Sequence, residues 1–341
     1  MSPSLAVLLP FYNAAPTLAE TLDSILAQTF KDFILIAVDD GSTDNSCEIV
    51  RGYIKRDQRI ELLHVEHLGV VGAMNHALDH CSTPFCARMD ADDIMLPERL
   101  AKQYEYLRAN PDIDLVGSCV RLFPEEIIQD GFTEYIRWQN ACITPQQIAD
   151  NIYVELPIAN PSICFRRDVV LGVGGYRDGD FPEDYELLLR LHQHGHQMAK
   201  LPEVLLHWRD SMDRLTRTDE RYSRLAFDRV RAAYLAVDPR LKRGRPLVYW
   251  GAGRATRRRI AHLIGHGYLP HAWIDVDPGK MGRVYEGAPV VAPHWLQGPW
   301  SEQQEKPFVL SYVSNHGARE LISDDLERRG YRSGVDYLMV G

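Results

Sequence analysis

The sequence lacks the long apolar runs that mark membrane-spanning proteins. None of its hydrophobic stretches approaches the roughly 20 residues that a membrane-spanning helix needs. Residues 1–4 lead directly into a strand-like segment, without the charged n-region and cleavage site of a secretory signal. We therefore expect a cytoplasmic protein with, at most, peripheral membrane association.

Positive charge is in short supply as well. Lysine and arginine number 38 against 47 aspartates and glutamates, so the formal net charge is -9. The arginine-rich piece at residues 254–259 is short and interrupted. Because nucleic-acid-binding surfaces need clustered positive charge to match the phosphates, we expect no nucleic-acid partner.

Cysteine pairs with metal-binding or redox spacing are also absent. The six cysteines form no C-x-x-C pair, and most of them lie within apolar stretches. Such positions are typical of reduced thiols in a core, so neither a disulfide framework nor a zinc site is expected. What the chain does have is length, because 341 residues with 45% hydrophobic content predict two hydrophobic cores and hence two domains.

The first third of the chain alternates between two kinds of segment. Strand-like segments lie at residues 5–9, 33–38, 60–65 and 85–89. Helix-like segments follow them, and the first begins near Thr17, which has capping-box spacing to Glu20. This alternation predicts an α/β fold with a mostly parallel sheet. Ligands bind at the carboxyl ends of such strands, where Pro10, Asp40 and Asp90 fall.

A second domain is predicted after residue 246. Residues 237–246 are polar and contain proline and glycine, as linkers do. They separate a first domain at residues 1–236 from a smaller Rossmann-like α/β domain at residues 247–341, in which strands and helices alternate again.

The start of the second domain resembles a Rossmann dinucleotide fingerprint. Gly251 and Gly253 follow a strand, and Asp275 ends the next strand. Thr256 stands where the third glycine of the fingerprint would permit close helix packing, and the motif alone is a weak signal. These residues form a candidate dinucleotide loop. The role of the domain stays open between regulation, structure, partner binding and the less favoured binding of NAD.

Two acidic clusters carry the candidate chemistry. Asp90, Asp92 and Asp93 follow a strand, and they either bind a divalent cation such as Mg²⁺ or Mn²⁺ or cap a turn and face water. Glu183 and Asp184 open a helix, where they are either catalytic or ordinary helix-start residues. The helix terminus should lower the pKa of a carboxylate in its first turn, which argues against Asp184 as a base.

Five motifs follow one another along the chain and favour the functional interpretation. They are Leu-Pro-Phe-Tyr-Asn at 9–13, Gln-Thr-Phe at 28–30, Val-Asp-Asp-Gly-Ser-Thr-Asp at 38–44, Asp-Ala-Asp-Asp at 90–93 and Pro-Glu-Asp-Tyr-Glu at 182–186. In this order they strongly resemble the family 2 glycosyltransferases, which are inverting enzymes with a GT-A nucleotide-sugar-binding fold. The resemblance covers roughly the first two thirds of the chain.

The resemblance implies roles for both acidic clusters. Asp92 would bind the metal ion, which bridges the two phosphates of the donor. Asp90 would contact the ribose or complete the metal shell, and Asp93 would share either role. Asp184 would be the general base that takes the proton of the acceptor hydroxyl, with Glu183 beside it.

The resemblance also implies contacts to the nucleotide. Asp40 would accept a hydrogen bond from the base, which is commonly uracil. The diphosphate would meet Arg209, Arg214 or Arg217, because Arg209 stands near the place where the family often has an Arg-x-His element. The whole set that would border the nucleotide is Pro10, Tyr12, Asn13, Asp40, Asn75 and Asp90.

We therefore expect an inverting, metal-dependent glycosyltransferase. It would move a sugar from a UDP-linked donor to a hydroxyl of a glycan or glycolipid acceptor, in bacterial surface polysaccharide or glycolipid assembly. Two alternatives stay open, namely a non-catalytic sugar-nucleotide-binding protein and an NAD-dependent oxidoreductase built on the second domain. The intact acidic motifs argue against the first, and no catalytic Tyr-x-x-x-Lys arrangement supports the second.

Overall fold

The chain folds into two compact units. One comprises Met1–Ile148 and Pro157–Tyr222, and the other comprises Ala149–Leu156 and Ser223–Gly341. The computed structural model describes residues 3–211, 214–241, 244–298, 306–314 and 317–341.

This division differs from the predicted domain boundary. The sequence predicts residues 223–236 in the first domain, yet they belong to the second unit together with residues 149–156. One reason is a long-range contact that no local pattern announces, because the Arg231 guanidinium donates to the backbone oxygen of Val154 at 3.1 Å. The predicted linker therefore falls inside the second unit, and its residues 242 and 243 lie outside the described part of the chain.

Eight strands form the sheet of the first unit. They are β1 (Leu5–Phe11), β2 (Phe33–Asp39), β3 (Ile60–His64), β4 (Phe85–Arg88), β5 (Ile94–Met95), β6 (Leu115–Phe123), β7 (Cys164–Arg166) and β8 (Met198–Arg209). Their order in space is β3-β2-β1-β4-β7-β6-β8-β5. The first four are parallel neighbours, whereas β7 runs antiparallel to both β4 and β6. The predicted mostly parallel sheet is confirmed, and the ends of β2, β1 and β4 lie side by side.

Helices connect the strands of this unit. They are α1 (Leu18–Leu26), α2 (Ser46–Ile54), α3 (Gly69–His80), α4 (Arg99–Ala109), α5 (Asp130–Ala141), α6 (Pro145–Asn151), α7 (Arg167–Gly172), α8 (Glu183–Gln193) and α9 (Leu215–Thr218). The apolar residues of β1 are fully buried, as expected for a strand covered on both faces. In α1, Leu18, Leu22 and Ile25 recur at helical spacing and are buried in the same core.

The start of α1 differs from its prediction. The Thr17 side chain does not cap the helix, and its hydroxyl donates instead to the backbone oxygen of Ala91 at 2.9 Å. The predicted capping box with Glu20 is wrong because a tertiary contact takes the hydroxyl. The same contact fixes the acidic loop that follows β4 against the start of α1.

The second unit has its own, smaller sheet. Its strands are β9 (Leu247–Trp250), β10 (Ala272–Ile274), β11 (Val284–Tyr285), β12 (Ala288–Val291), β13 (Phe308–Ser311) and β14 (Tyr337–Met339), and its helices are α10 (Arg224–Val237), α11 (Arg254–Gly265) and α12 (Ala318–Arg328). The order in space is β11-β12-β10-β9-β13-β14. Apart from β11, all neighbours are parallel. Without β11, this is the 3-2-1-4-5 order of doubly wound nucleotide-binding sheets.

The helices are short throughout the described ranges. Even α10 has only 14 residues. No helix in these ranges combines the length and the apolar character that crossing a membrane requires.

Candidate active site

The loops after β1 and β2 are joined by Asn13. Its backbone has a φ of 49°, in the left-handed region that asparagine tolerates better than most residues. Its side-chain oxygen accepts from the backbone N–H groups of Thr43 at 2.8 Å and Asp44 at 3.3 Å. Its own backbone N–H donates to the Ser42 hydroxyl at 3.0 Å. Asn13 therefore shapes the predicted nucleotide rim by holding one loop against the other.

Asp39 orients the second of these loops from below. Its carboxylate is 1% exposed, accepts from the Ser42 N–H at 2.9 Å and lies 2.9 Å from His64 Nδ1. Burial alone would raise the pKa of Asp39, but hydrogen bonds from Ser42, His64 and Cys47 together lower it. The carboxylate is thus held in its charged form inside the fold.

Asp40 lies under the start of α3. Its Oδ1 accepts from the backbone N–H of Leu68 at 2.6 Å, and its Oδ2 accepts from that of Gly69 at 3.0 Å. His67 Nδ1 is 2.9 Å from the same Oδ2. A carboxylate oxygen has more than one lone-pair direction, so a nucleobase donor would share an oxygen with the helix.

An aromatic pair borders Asp40. The Tyr12 ring lies on the His67 ring with centroids 4.2 Å apart and an angle of 32° between the planes, and Tyr12 is 45% exposed. Pro10 is paired with Val38 in the sheet just before this pair. The structure thus brings Pro10, Tyr12 and Asn13 to the strand ends where Asp40 lies, as the alternation of strands and helices predicts.

Three carboxylates meet in the loop after β4. Asp90, Asp92 and Asp93 each place an oxygen so that all three lie within 4.8 Å of one another, the only such group of potential ligands within the described ranges. Asp93 is fully buried, and its Oδ1 accepts from the backbone N–H of Arg209 at 2.7 Å. Its Oδ2 has no hydrogen-bond partner. A buried carboxylate oxygen without a donor is costly, so a bound cation would stabilise the cluster.

The pKa values of the cluster agree with a metal site. Burial, followed by the charge of Asp90, raises the pKa of Asp92 to about 6. Burial and the two neighbouring carboxylates raise the pKa of Asp93 well above its ordinary value. A divalent cation would relieve the repulsion and take the unpartnered oxygen as a ligand. Because all three donors are hard oxygens, the cluster fits Mg²⁺ or Mn²⁺ better than Zn²⁺.

Asp184 lies in the first turn of α8, as predicted, but its proton affinity differs from the prediction. Burial, followed by the charge of Glu183, raises the pKa of Asp184 to about 7, although the Tyr185 N–H donates to its Oδ1 at 2.7 Å. The expected lowering by the helix terminus is wrong because burial and like charge outweigh it. A carboxyl group that titrates near neutral pH suits a general base.

Arg88 joins the two acidic clusters. Its buried side chain lies 2.7 Å from Asp90 Oδ1 through Nη1. The charges of Arg88 and Asp90 both act on Asp184, the first lowering and the second raising its pKa. The predicted metal cluster and the predicted base therefore lie near each other in the first unit.

Arg209 lies against the acidic loop instead of in an open cleft. Its Nε donates to the backbone oxygen of Asp92 at 2.6 Å, its Nη2 pairs with Glu20, and its guanidinium lies 4.3 Å from the Phe123 ring centroid. These contacts make Arg209 a support for the acidic loop. The charges of Arg214 and Arg209 both lower the pKa of Asp92, so both stay predicted partners of a diphosphate.

Asn75 acts on the segment before α8. Its side-chain amide donates to the backbone oxygen of Tyr176 at 2.9 Å, and its Oδ1 accepts from the Tyr176 N–H at 2.8 Å. Gly175, with a φ of +67°, lies so close that a Cβ there would be 2.6 Å from Asn75 Oδ1. Asn75 therefore fixes the backbone at Tyr176, in the segment before α8, and its amide is already occupied by this contact.

The predicted dinucleotide loop of the second unit is closely packed. Gly251 has a φ of +117°, and a Cβ there would lie 2.7 Å from Thr256 Cγ2 and 3.1 Å from Val313 Cγ2. Gly253 is the residue before α11 and makes no side-chain cap. Thr256, which replaces the third glycine of the fingerprint, thus packs directly on Gly251, the first glycine.

Asp275 is already engaged by its own unit. It accepts from the Ala252 N–H at 3.0 Å and from Lys280 Nζ at 2.9 Å. Although burial would raise the pKa of Asp275, hydrogen bonds from the Asp277 N–H, Lys280 and Ala252 lower it. NAD binding by this loop stays the less favoured of the predicted roles.

Two residues of the site escaped the sequence interpretation. His67 contacts Asp40, and the Tyr222 hydroxyl donates to Glu183 Oε2 at 2.5 Å. Both lie outside the family motifs, at 27 and 39 residues from their partners along the chain. Nothing local distinguishes them, because their position is set by the fold.

Comparison with known proteins identifies the chain. A family model described as "Glycosyl transferase family 2" matches residues 6–170. The amylovoran biosynthesis glycosyltransferase AmsE of Erwinia amylovora is 31% identical over 211 residues, which cover 61% of this chain and 77% of the relative. The chain is a family 2 glycosyltransferase.

Solved structures share the fold of this family 2 glycosyltransferase. S. aureus TarS 1-349, in a complex with UDP, has 19% sequence identity and a TM-score of 0.53, covering 68% of this chain and 65% of that chain. The mannosyltransferase PcManGT from Pyrobaculum calidifontis, in a complex with GDP-Man and Mn²⁺, has 19% identity and a TM-score of 0.51, covering 80% and 70%. These likenesses confirm the predicted GT-A fold.

Proposed function

We propose that this glycosyltransferase moves a sugar, with inversion, from a UDP-linked donor to a hydroxyl of a glycan or glycolipid. The single observation that carries the proposal is the cluster of Asp90, Asp92 and Asp93, whose carboxylate oxygens lie within 4.8 Å of one another. The charge of Asp90 acts on the buried Asp184, whose pKa is raised to about 7, which supports Asp184 as the base. The name of AmsE supports a role in bacterial surface polysaccharide assembly. The Mn²⁺ and GDP-Man of PcManGT and the UDP of TarS support a metal and a nucleotide donor.

The nucleotide end of the donor is proposed to lie at the ends of β1 and β2. Asp40 offers carboxylate oxygens, and Tyr12 with His67 offers an exposed ring surface beside them. A uracil imide N–H is a donor that suits Asp40, and a flat base suits the Tyr12 ring. The diphosphate then extends towards Asp90 and Asp92, and Arg214, which lies 3.7 Å from Asp210 through its Nη1, is the proposed cation for it.

Proton transfer is assigned to Asp184. The acceptor oxygen forms a bond to the anomeric carbon on the face opposite the diphosphate, and the bond from that carbon to the phosphate oxygen breaks with its electron pair. Asp184 takes the hydroxyl proton as the new bond forms. Asp90, Asp92 and Asp93 would hold a divalent ion, which, when bound, neutralises charge on the departing nucleoside diphosphate.

Nucleotide release with a donor panel tests this function. UDP-glucose, UDP-galactose, UDP-N-acetylglucosamine and GDP-mannose are each incubated with the protein and Mn²⁺. We expect one UDP donor to be turned over, and Asp92→Ala and Asp184→Asn each to reduce turnover by at least about 100-fold. Asp168→Asn, on the exposed side of α7, is the matched control and should retain wild-type turnover. Full turnover by both site variants would show that the assignment is wrong.

Calorimetry separates the proposal from its alternatives. UDP with Mn²⁺ should release heat with the wild-type protein and much less with Asp92→Ala, because the diphosphate loses its metal. NAD added separately should give no saturable heat, since the Asp275 carboxylate is engaged by Lys280 and the Ala252 N–H. Saturable NAD binding without UDP binding would instead support the second unit as the functional one.

A further inference from the structure

Tyr222 reaches the proposed base pair from a distant part of the chain. Its hydroxyl donates to Glu183 Oε2 at 2.5 Å, 39 residues away in sequence. Burial, followed by the charge of Glu183, raises the pKa of Tyr222 far above neutral pH, so the phenol keeps its proton and remains a donor. Neither the family match at residues 6–170 nor the five motifs include this residue.

The segment that carries Tyr222 is anchored by ion pairs within the first unit. Near its start, the buried Asp210 lies 2.9 Å from Arg217 Nη2 and 3.7 Å from Arg214 Nη1. Next to Tyr222, Arg221 pairs with Asp219 at 2.7 Å and with Asp178 at 3.2 Å. The tyrosine hydroxyl is therefore held in place by its surroundings and is not a freely rotating surface group.

The hydrogen bond distinguishes the two neighbouring carboxylates. Glu183 is 4% exposed and receives a phenol donor, which stabilises its charged form. Asp184 accepts from the Tyr185 N–H at 2.7 Å, and burial, followed by the adjacent Glu183 charge, raises its pKa to about 7. Two adjacent carboxylates cannot easily both stay charged, so the one without the phenol is the one that takes up a proton.

We propose that Tyr222 is a positioning residue of the transfer reaction, which holds Glu183 as the charged partner and leaves Asp184 as the carboxylate that accepts the acceptor's proton. This inference rests on the proposed function. Tyr222 itself does not touch the reacting atoms in the proposal. It acts through Glu183, and its effect is therefore on the proton affinity of the pair more than on substrate contact.

The groups that face Asp184 define what the pH dependence can report. The groups that interact electrostatically with Asp184 come from several elements. They are Glu183 on α8, Arg88 on β4, Asp90 in the loop after β4, Tyr176 in the segment before α8 and Tyr222 in the segment after β8. Saturating Mg²⁺ would keep the proposed metal on the acidic loop after β4 throughout the measurement. The profile near neutral pH is then expected to report Asp184, whose pKa is about 7.

The test is the pH profile of kcat/KM for UDP release from the panel's best UDP donor, over about pH 5 to 9 with saturating Mg²⁺. Glu183→Gln removes the negative charge beside Asp184, so the acidic limb should move to lower pH by roughly one unit. Tyr222→Phe removes the phenol donor to Glu183, so the Glu183–Asp184 pair binds its first proton more tightly. The acidic limb should then move to higher pH by roughly one unit. The opposite directions are the signature of the proposal.

Two further variants complete the experiment. Tyr53→Phe is the matched control, because Tyr53, on α2, also donates to a carboxylate, that of Asp23 on α1, at 2.7 Å. It should leave the profile unchanged. In the Glu183→Gln protein, the Tyr222 phenol has no carboxylate charge to stabilise. Adding Tyr222→Phe to this protein should therefore not move the acidic limb back to higher pH.

The outcomes separate this inference from the proposed function. If the wild type is active and Asp184→Asn is inactive, but Tyr222→Phe lowers the rate equally at every pH, Tyr222 is only structural and the inference is overturned. An unshifted Tyr222→Phe profile overturns it too, as does a Tyr222→Phe effect that persists in the Glu183→Gln background. If Tyr222→Phe does not fold, Glu183→Gln alone decides, since an unmoved or raised limb contradicts the assigned charge of Glu183. Full activity of Asp184→Asn would instead overturn the function on which the inference rests.

Discussion

Gly175→Ala probes the contact that fixes the backbone at Tyr176, in the segment before α8. Gly175 has a φ of +67°, and a Cβ there would lie 2.6 Å from Asn75 Oδ1. The side chain of Asn75 must then move, and its two hydrogen bonds to the Tyr176 backbone, at 2.8 and 2.9 Å, are lost or stretched. The substitution thus combines backbone strain with the loss of a polar clamp.

The magnitude follows from these contacts. Left-handed backbone costs a residue with a Cβ about 1 kcal/mol, and each hydrogen bond contributes about 1 kcal/mol. The free energy of unfolding should therefore fall by about 3 kcal/mol. For a unit of this size, about 2 to 4 °C per kcal/mol predicts a melting temperature lowered by roughly 6 to 12 °C.

Thermal unfolding followed by circular dichroism measures this effect. Gly52→Ala is the matched control, because a Cβ at Gly52 in α2 would meet no atom within 4 Å. Alanine is the better helix former, so this control should be neutral or stabilised by about 0.5 to 1 kcal/mol. A Gly175→Ala protein that melts with the wild type would show that Asn75 is not a structural clamp and would reopen its predicted role at the nucleotide.

Three further predictions concern the acidic cluster and the loops. With a chelator present, the free energy of unfolding should fall as the pH rises from about 4 to 7. The reason is that Asp92 and Asp184 have folded pKa values of about 6 and about 7, above their unfolded values. An unfolding midpoint that rises over this window would contradict this prediction. Asp93→Asn should have a higher melting temperature than the wild type in chelator, because it removes the unpartnered buried charge, and it should lose the stabilisation by Mn²⁺. A lower melting temperature in chelator would argue against an energetic cost of burying the Asp93 carboxylate. Asn13→Ala should lower the free energy of unfolding by about 2 kcal/mol and weaken UDP binding, because alanine cannot accept from the Thr43 and Asp44 backbone N–H groups and is strained at this φ. Asn13→Gly should lower the free energy of unfolding less. Equal calorimetric titrations for all three proteins would refute the role of the loop contact.

Much of the first sheet could be predicted because its signals are local. Apolar strands such as residues 5–9 and 33–38 are buried on both faces, and their sequence shows it directly. The strand β8 was harder, since residues 202–204 are exposed within it and its pairing with β6 shifts register near Ser118 and Cys119. The helix α5 buries only Ile136 and Gln139, so its apolar pattern is incomplete.

For the candidate site, the sequence predicted which loops lie together but not the contacts of their side chains. It placed Pro10, Asp40 and Asp90 at the carboxyl ends of strands, and the parallel pairing of β1 with β2 and β4 brings these ends to one edge of the sheet. Which donors each side chain meets depends on residues far away in sequence. Arg209 therefore supports the loop at Asp92, and the pKa of Asp184 is raised by burial that a helix-terminus argument does not include.

The segment from residue 209 to residue 222 has a consequence for how this enzyme can be altered. The backbone N–H of its first residue donates to Asp93 in the acidic loop, and the Tyr222 hydroxyl at its end donates to Glu183. In the proposed reaction, one covalent stretch therefore contacts both the loop that would hold the metal during nucleotide departure and the carboxylate beside the base that would deprotonate the acceptor. Insertions or deletions here should shift both steps together, even though most surface connections tolerate them. Chimeras that exchange the acceptor region should keep this stretch and both acidic motifs from a single parent.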